Sequence, residues 1–364
     1  MRENWSKITV ISVAIVFYGF ALLCWFKPAD DISEVERREL AKMPELSIDS
    51  FADGSFMDDF EEYAVDQIPF RQGFRTVKAA IGIYAFGQLD NNDSYVDEGY
   101  IIDMEYPLDV DSIERAADRF TDVYNKYLLD TDVNVYMSII PDKNYFNDND
   151  VYPIMEYDKM VEIMCENMEY STYIDIFGEL ELEDYYKTDS HWRQEKIVSV
   201  AEKLGASMGV SIDTEYEQVE IDKTFYGVYY GQMSLPSEGD KLYYLTNHTI
   251  DDCTVYDYEN SRDISMYDMD AATGRDPYEM YLYGPLSLVT ITNPNANTDK
   301  ELIIFRDSFG SSIAPLLATG YSKVTLVDIR YISPEILGNF IEFDNQDVLF
   351  LYSTSVLNNS ETIK

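Results

Sequence analysis

The sequence predicts an α/β domain, a mainly parallel sheet flanked by helices, with a β-rich insertion and an N-terminal transmembrane helix. Three observations predict it. Short, β-branched apolar runs alternate with segments whose apolar residues recur at helical spacing. A Tyr- and Asp-rich stretch at about 214–293 breaks that rhythm with short β segments and Gly, Pro and Asn turns. Ile8 to Phe26 is uncharged throughout.

In chain order, the apolar segment comes first. Its 19 residues, at a rise of about 1.5 Å each, span roughly 28 Å, close to a bilayer core. A cleaved signal peptide is the rival, but it would be shorter and would end in a small-x-small site, which is absent here. Cys24 follows the bulky Leu23, unlike a lipoprotein cysteine. Residues 1–27 are therefore read as a cytoplasmic tip and anchor, 28–60 as a polar juxtamembrane stalk, and 61–364 as the catalytic domain. Asp59 to Ala85 reads as helix broken at Pro69, and Tyr95 to Ile102 as a hairpin turning at Glu98-Gly99. Helices are expected at Val110–Leu129, Tyr157–Asn167, Gln194–Met208 and Ser311–Leu317. Strands are expected at Asn134–Ile140, Tyr173–Ile176, Leu302–Phe305, Val324–Val327 and Val348–Tyr352.

Composition narrows the chemistry. With 27 basic against 68 acidic residues the formal charge is −41, a field that repels phosphate backbones and excludes nucleic acid as a partner. An anionic membrane would repel the body too, so hydrophobic contact must hold it there. The 31 Tyr against 3 Trp suit either sugar contacts or phenols half-buried along strands. Cys165 and Cys253 either pair or stay as free thiols. With no CxxC, no HExxH and 2 histidines in the chain, no metal site or cofactor is expected.

Two short motifs carry candidate chemistry. In YYKTDSHW, Asp189 and His191 stand two apart, so on an extended segment both side chains leave on one side. A carboxylate accepting from one imidazole nitrogen leaves the other free to act as a base; otherwise Asp189 or Ser190 caps the helix that follows. In FRDSFG an apolar strand turns sharply into a small-residue helix, setting Ser308 above the carboxyl edge of the sheet. The alternative is that Asp307 and Ser308 merely cap that helix. Ser311 and Ser312 lie further in and are weaker nucleophile candidates. A serine nucleophile needs an adjacent base. Of His191 and His248, the latter in an NHT sequon opened by Asn247, only His191 has an acidic partner at a useful spacing.

TDSHW followed more than a hundred residues later by strand-RDSFG-helix resembles the DHHW protein family, which is similar to the SGNH-hydrolase-like domains of alginate O-acetylation enzymes. The anchor, ERRELAKMPELS, GSFMDDFEEYAVDQIPFR and IIPDKNYF agree with that resemblance. It implies an SGNH-like sheet with Ser308 as nucleophile, His191 as base and Asp189 as its partner. It also implies an extracytoplasmic domain, although the flanking charges do not favour that side. The activity implied is O-acetyl transfer to a cell-surface polysaccharide, with a partner membrane-bound O-acyltransferase as donor. An esterase using water, or a non-catalytic glycan-binding scaffold, are the other readings. Arg306 stands where the family pattern has glycine, and the oxyanion glycine and asparagine are not identifiable. Arg306, Arg330 and Trp192 are candidates for substrate or oxyanion contacts; for Arg330 a solvated strand end is the alternative.

Overall fold

The computed structural model describes residues 2–149 and 151–364; the amino-terminal group, part of the flanking-charge comparison, lies outside them. The chain divides into two compact units, one reaching Asn92 and taking in Tyr230–Pro236, the other comprising Asp93–Tyr229 and Ser237–Lys364. Residues 61–92, grouped above with the catalytic domain, thus belong to the first unit.

In the first unit, Arg2–Phe26 is helical and is, among the described residues, the one helix long and apolar enough to cross a bilayer. The following polar stretch is not a free stalk. Arg38 forks onto Asp66 at 2.8 and 2.6 Å, and Glu36 pairs with Arg71 and Arg75. Asp66 sits in helix Ser55–Gln67 and the arginines in helix Arg71–Ala80, so Pro69 breaks the helical run as expected. The Arg38 guanidinium holds the Asp66 carboxyl down to about 2. Charge pairs between segments thirty residues apart leave no periodic trace, which is why this stretch reads as an open linker.

The second unit is built on an eight-stranded sheet. In chain order its strands are β1 (Asn134–Ile140), β2 (Thr172–Tyr173), β3 (Thr254–Asp257), β4 (Arg262–Ile264), β5 (Leu288–Thr292), β6 (Glu301–Arg306), β7 (Lys323–Val327) and β8 (Asp347–Ser353). In space they run β4-β3-β5-β7-β6-β8-β1-β2. The block from β7 to β2 is parallel, and β5, β3 and β4 extend it antiparallel. Both faces are covered, so the central strands carry near-continuous apolar runs rather than alternate apolar positions. Leu302, Ile304, Leu349 and Leu351 pack to one side with helices Val198–Ser207 and Gly310–Leu317. Ile303, Phe305, Val348 and Phe350 pack to the other with helices Val110–Val123 and Tyr157–Asn167.

Two expectations change here. The β-rich stretch is not one separate body: β3, β4 and β5 join the main sheet, and only the pair Glu217–Phe225 and Asp240–Thr246 forms its own hairpin. A period-two strand carries the same pattern whichever edge it pairs with, so the sequence alone cannot choose. The strand expected at Tyr173–Ile176 stops at Tyr173, because Asp175 turns the chain by accepting from the Phe177 amide at 3.0 Å. Cys165 and Cys253 are free thiols.

Candidate active site

Ser308 sits where β6 gives way to helix Gly310–Leu317, at the carboxyl edge of the parallel strands. Asp307 makes the elbow. Its Oδ1 accepts from the Phe309 amide at 3.0 Å and its Oδ2 from the Ser353 amide, at the end of neighbouring β8, at 2.8 Å. Asp307 therefore fixes the turn ahead of the helix, and Ser308 is left partly exposed at the rim. Gly310 is needed for close packing, since a Cβ there would stand 2.6 Å from the Arg306 Cβ.

His191 arrives on a tight loop pinched by the Tyr185–Trp192 bridge. This loop is clamped from the neighbouring hairpin. Asp240 accepts from the Lys187 amide (2.8 Å), the Thr188 amide (2.9 Å) and the Thr188 hydroxyl (2.6 Å). The Gly227 amide donates to Thr188 Oγ1 at 2.8 Å, and the Val228 amide to Asp189 Oδ2 at 3.0 Å. Gly227 itself is required by contact, as a Cβ would fall 2.2 Å from the Asp189 Cβ and 2.4 Å from the Thr188 carbonyl oxygen.

Folding brings the three expected residues into one relay. His191 Nδ1 lies 2.6 Å from Asp189 Oδ1, and His191 Nε2 lies 2.7 Å from Ser308 Oγ. Asp189 is buried and can only accept, so it takes Nδ1–H and leaves Nε2 to accept the serine proton. The imidazole stacks on Tyr278 with ring centroids 3.8 Å apart. A π-face against the ring fixes its plane. Among the described residues the Ser308 amide makes no hydrogen bond, and it stands beside the start of the helix, where an oxyanion donor is needed.

Beneath the loop lies Lys143, from the IIPDKNYF motif. Its buried ammonium donates to the carbonyls of Ile101, Tyr186 and Lys187, tying the loop to the Tyr100–Asp103 strand. Burial pushes this lysine down to about 7, against the pull of Asp189, Asp240, Asp103 and Asp142. Lys143, Gly227, Asp240 and Tyr278 were not singled out from sequence. Only Lys143 lay in a motif already noted; the others sit in the β-rich stretch with no spacing to mark them.

The weaker candidates take other places. Trp192 is fully buried and its indole N–H donates to Ser312 Oγ at 2.8 Å, so it cannot stack on a sugar at the surface. It neighbours His191 on an extended segment, and successive side chains point to opposite sides. Arg306 is likewise fully buried, bonded to the carbonyl of Leu286 at 3.1 Å and 3.6 Å from Asp328; it braces the end of β6 and does not reach substrate. Arg330 is locked bidentate on Asp328 at 2.9 and 2.7 Å, which raises its pKa, and it makes no bond to the triad among the described residues. Ser311 is buried, and Ser312 holds Trp192 and Tyr278. His248 is exposed beside Asp252.

No family model and no curated protein matches the chain. Solved structures do. A DHHW family protein from Eubacterium siraeum DSM 15702 aligns over 75% of this chain and 95% of its own, at 20% identity and a TM-score of 0.61. PatB1 of Bacillus cereus aligns over 74% of this chain and 98% of its own, at 19% identity and a TM-score of 0.59. A second PatB1 structure, with a sulfonyl adduct, aligns over 72% of this chain and 95% of its own, at 18% identity and a TM-score of 0.57. The resemblance read from the sequence is thus matched by a shared fold.

Proposed function

We propose that this chain is a membrane-anchored, extracytoplasmic serine O-acetyltransferase acting on a cell-surface polysaccharide. The observation that carries the proposal is the Asp189–His191–Ser308 relay, with both of its hydrogen bonds formed in one structure. As Ser308 Oγ attacks an acetyl carbonyl, its proton passes to His191 Nε2. Asp189 faces the resulting imidazolium and the Ser308 amide faces the oxyanion. Collapse of the tetrahedral intermediate expels the leaving group, which takes the proton from His191, and an acetyl-serine remains. A sugar hydroxyl then gives its proton to His191 and attacks the acyl carbonyl, releasing acetylated sugar and free Ser308. The acetyl donor outside the membrane would be a membrane-bound O-acyltransferase, and the helix Arg2–Phe26 would hold the two together in one bilayer.

PatB1 with a sulfonyl adduct suggests the first probe. Full-length protein in detergent is treated with phenylmethylsulfonyl fluoride and digested, and the peptide containing Ser308 is weighed. One sulfonyl group on Ser308, absent from Ser308→Ala, is the expected result, together with loss of 4-nitrophenyl acetate hydrolysis. Acetylated oligosaccharide formed when glycan is added identifies a transferase; hydrolysis indifferent to glycan identifies an esterase. An unmodified Ser308, with hydrolysis intact in Ser308→Ala, overturns the serine mechanism.

A further inference from the structure

The first unit carries an apolar face that its own fold does not cover. In helix Arg71–Ala80 and the wider turn Ile81–Ala85 that continues it, Phe74, Val77, Ile81 and Tyr84 recur at helical spacing and are exposed, flanked by exposed Phe70 and Phe86. Tyr84 and Phe86 are each 79% exposed. Soluble surfaces rarely gather so many large apolar groups on one stripe.

Two further observations say what covers it. The first is continuity with the bilayer-length helix: the Phe74 ring meets the Phe20 ring edge-on at 6.0 Å, and Gly19 to Ala21 are part-covered while most of the helix is bare. Phe20 lies six residues inside Phe26, about 9 Å at helical rise. A face touching the span there reaches roughly the 5–10 Å depth at which an amphipathic helix rests between headgroups and acyl chains. The second is charge. In a chain with 68 acidic residues, none occurs between Asp66 and Asp90, while Arg71, Arg75 and Lys78 all do. Only the anchor segment itself runs longer without an acid. The body as a whole is repelled by anionic lipid; this stretch adds no acid of its own, and with Arg71 and Arg75 paired to Glu36 it leaves Lys78 exposed beside the apolar face.

We infer that the Phe70–Phe86 face lies in the plane of the membrane interface as a second attachment beside the spanning helix. This inference rests on the anchored reading above, and it has a consequence for function: a single span leaves a domain free to tilt, whereas a span plus an in-plane helix fixes its height and orientation on the lipid.

The experiment uses the full chain with Cys24, Cys165 and Cys253 changed to alanine, in vesicles of three parts phosphatidylethanolamine to one part phosphatidylglycerol. Spin labels are placed singly at Val77→Cys and Tyr84→Cys. Val13→Cys reports on the span and Glu169→Cys, exposed on the other unit, on water. At positions 77 and 84, relaxation by oxygen should exceed relaxation by a water-soluble nickel chelate severalfold, with the reverse at 169. If 77 and 84 behave like 169 while 13 is in lipid, the in-plane helix is refuted and the anchor stands. If 13 is also in water, both fail. Lipid exposure at 77 and 84 with 13 in water upholds the interfacial face and sinks the anchor.

Discussion

Replacing Asp189 with asparagine tests the relay at its least accessible member. Among the bonds the carboxylate accepts are those to Oδ1 from His191 Nδ1 (2.6 Å) and the His191 amide (3.1 Å), and to Oδ2 from the Val228 amide (3.0 Å). An amide side chain has one acceptor oxygen, so its NH2 must face a backbone N–H whichever way it is turned. Turned toward His191, it offers Nδ1 a donor, which drives the ring proton to Nε2 and removes the base that Ser308 needs. Turned toward Val228, it keeps the tautomer but removes the charge facing the imidazolium. In either orientation a buried amide is left without its acceptor, at a cost of about 1–3 kcal/mol of stability. An Asp→Asn change in a Ser–His–Asp triad costs on the order of 10⁴ in kcat, roughly 5.5 kcal/mol of barrier. The assay is hydrolysis of 4-nitrophenyl acetate by the full-length protein, with thermal unfolding alongside to verify folding. A folded Asp189→Asn protein keeping more than a tenth of the wild-type kcat, while Ser308→Ala is inactive, would refute the claim that Asp189 orients the base.

Gly227→Ala should lower kcat about a hundredfold, because its Cβ would displace Asp189 by the order of an ångström; unchanged turnover would mean that the loop absorbs the clash. Trp192→Phe removes the indole bond to Ser312 and should cost about 1–2 kcal/mol of stability. It should leave the KM for an oligosaccharide acceptor unchanged, and a raised KM would return Trp192 to the substrate surface. Glu105, pushed up to about 7 mainly by burial and then by Asp142, binds a proton in the folded state that the unfolded chain has already released. Its stabilising effect is complete below about 4.5 and fades as pH rises through about 7. Chemical unfolding from pH 4.5 to 7.5 should therefore show a shallower decline for Glu105→Gln than for wild type, and parallel curves would count against the raised pKa of this half-buried acid.

The sequence marked the relay because its members keep short-range signatures. Asp189 and His191 stand two apart on an extended loop, and Ser308 follows an apolar strand directly. The parallel strands were legible for the same reason: LIIF, VTLV and VLFLY are short, β-rich and apolar but for Thr325, as strands buried on both faces should be. What could not be read depends on partners far along the chain. Arg306 was a candidate because it stands where the family pattern has glycine; the Leu286 carbonyl and Asp328 that enclose it come from elsewhere. Trp192 follows His191 directly, yet alternation sends it into the core. The boundary at Asn92 was missed because residues 61–92 have the same amphipathic rhythm as helices of the larger unit.

The strand pair Glu217–Phe225 and Asp240–Thr246, with residues 227 and 228, read from sequence as part of an insertion, has the clearest claim to belong to the proposed active site. A base carried on a helix is held by the helix's own hydrogen bonds, but His191 rides on a loop whose backbone donors would otherwise turn to water. Asp240 removes that freedom at Lys187 and Thr188, and residues 227 and 228 remove it at Thr188 and Asp189. Lys143 closes the same loop from the opposite end, through the carbonyls of Tyr186 and Lys187. Tyr186, Lys187, Thr188 and Asp189 are therefore fixed by groups outside the loop, so in the proposed reaction the imidazole would have little entropy left to lose. In this fold the β-rich segment takes the part that regular secondary structure would play under the histidine proposed as base.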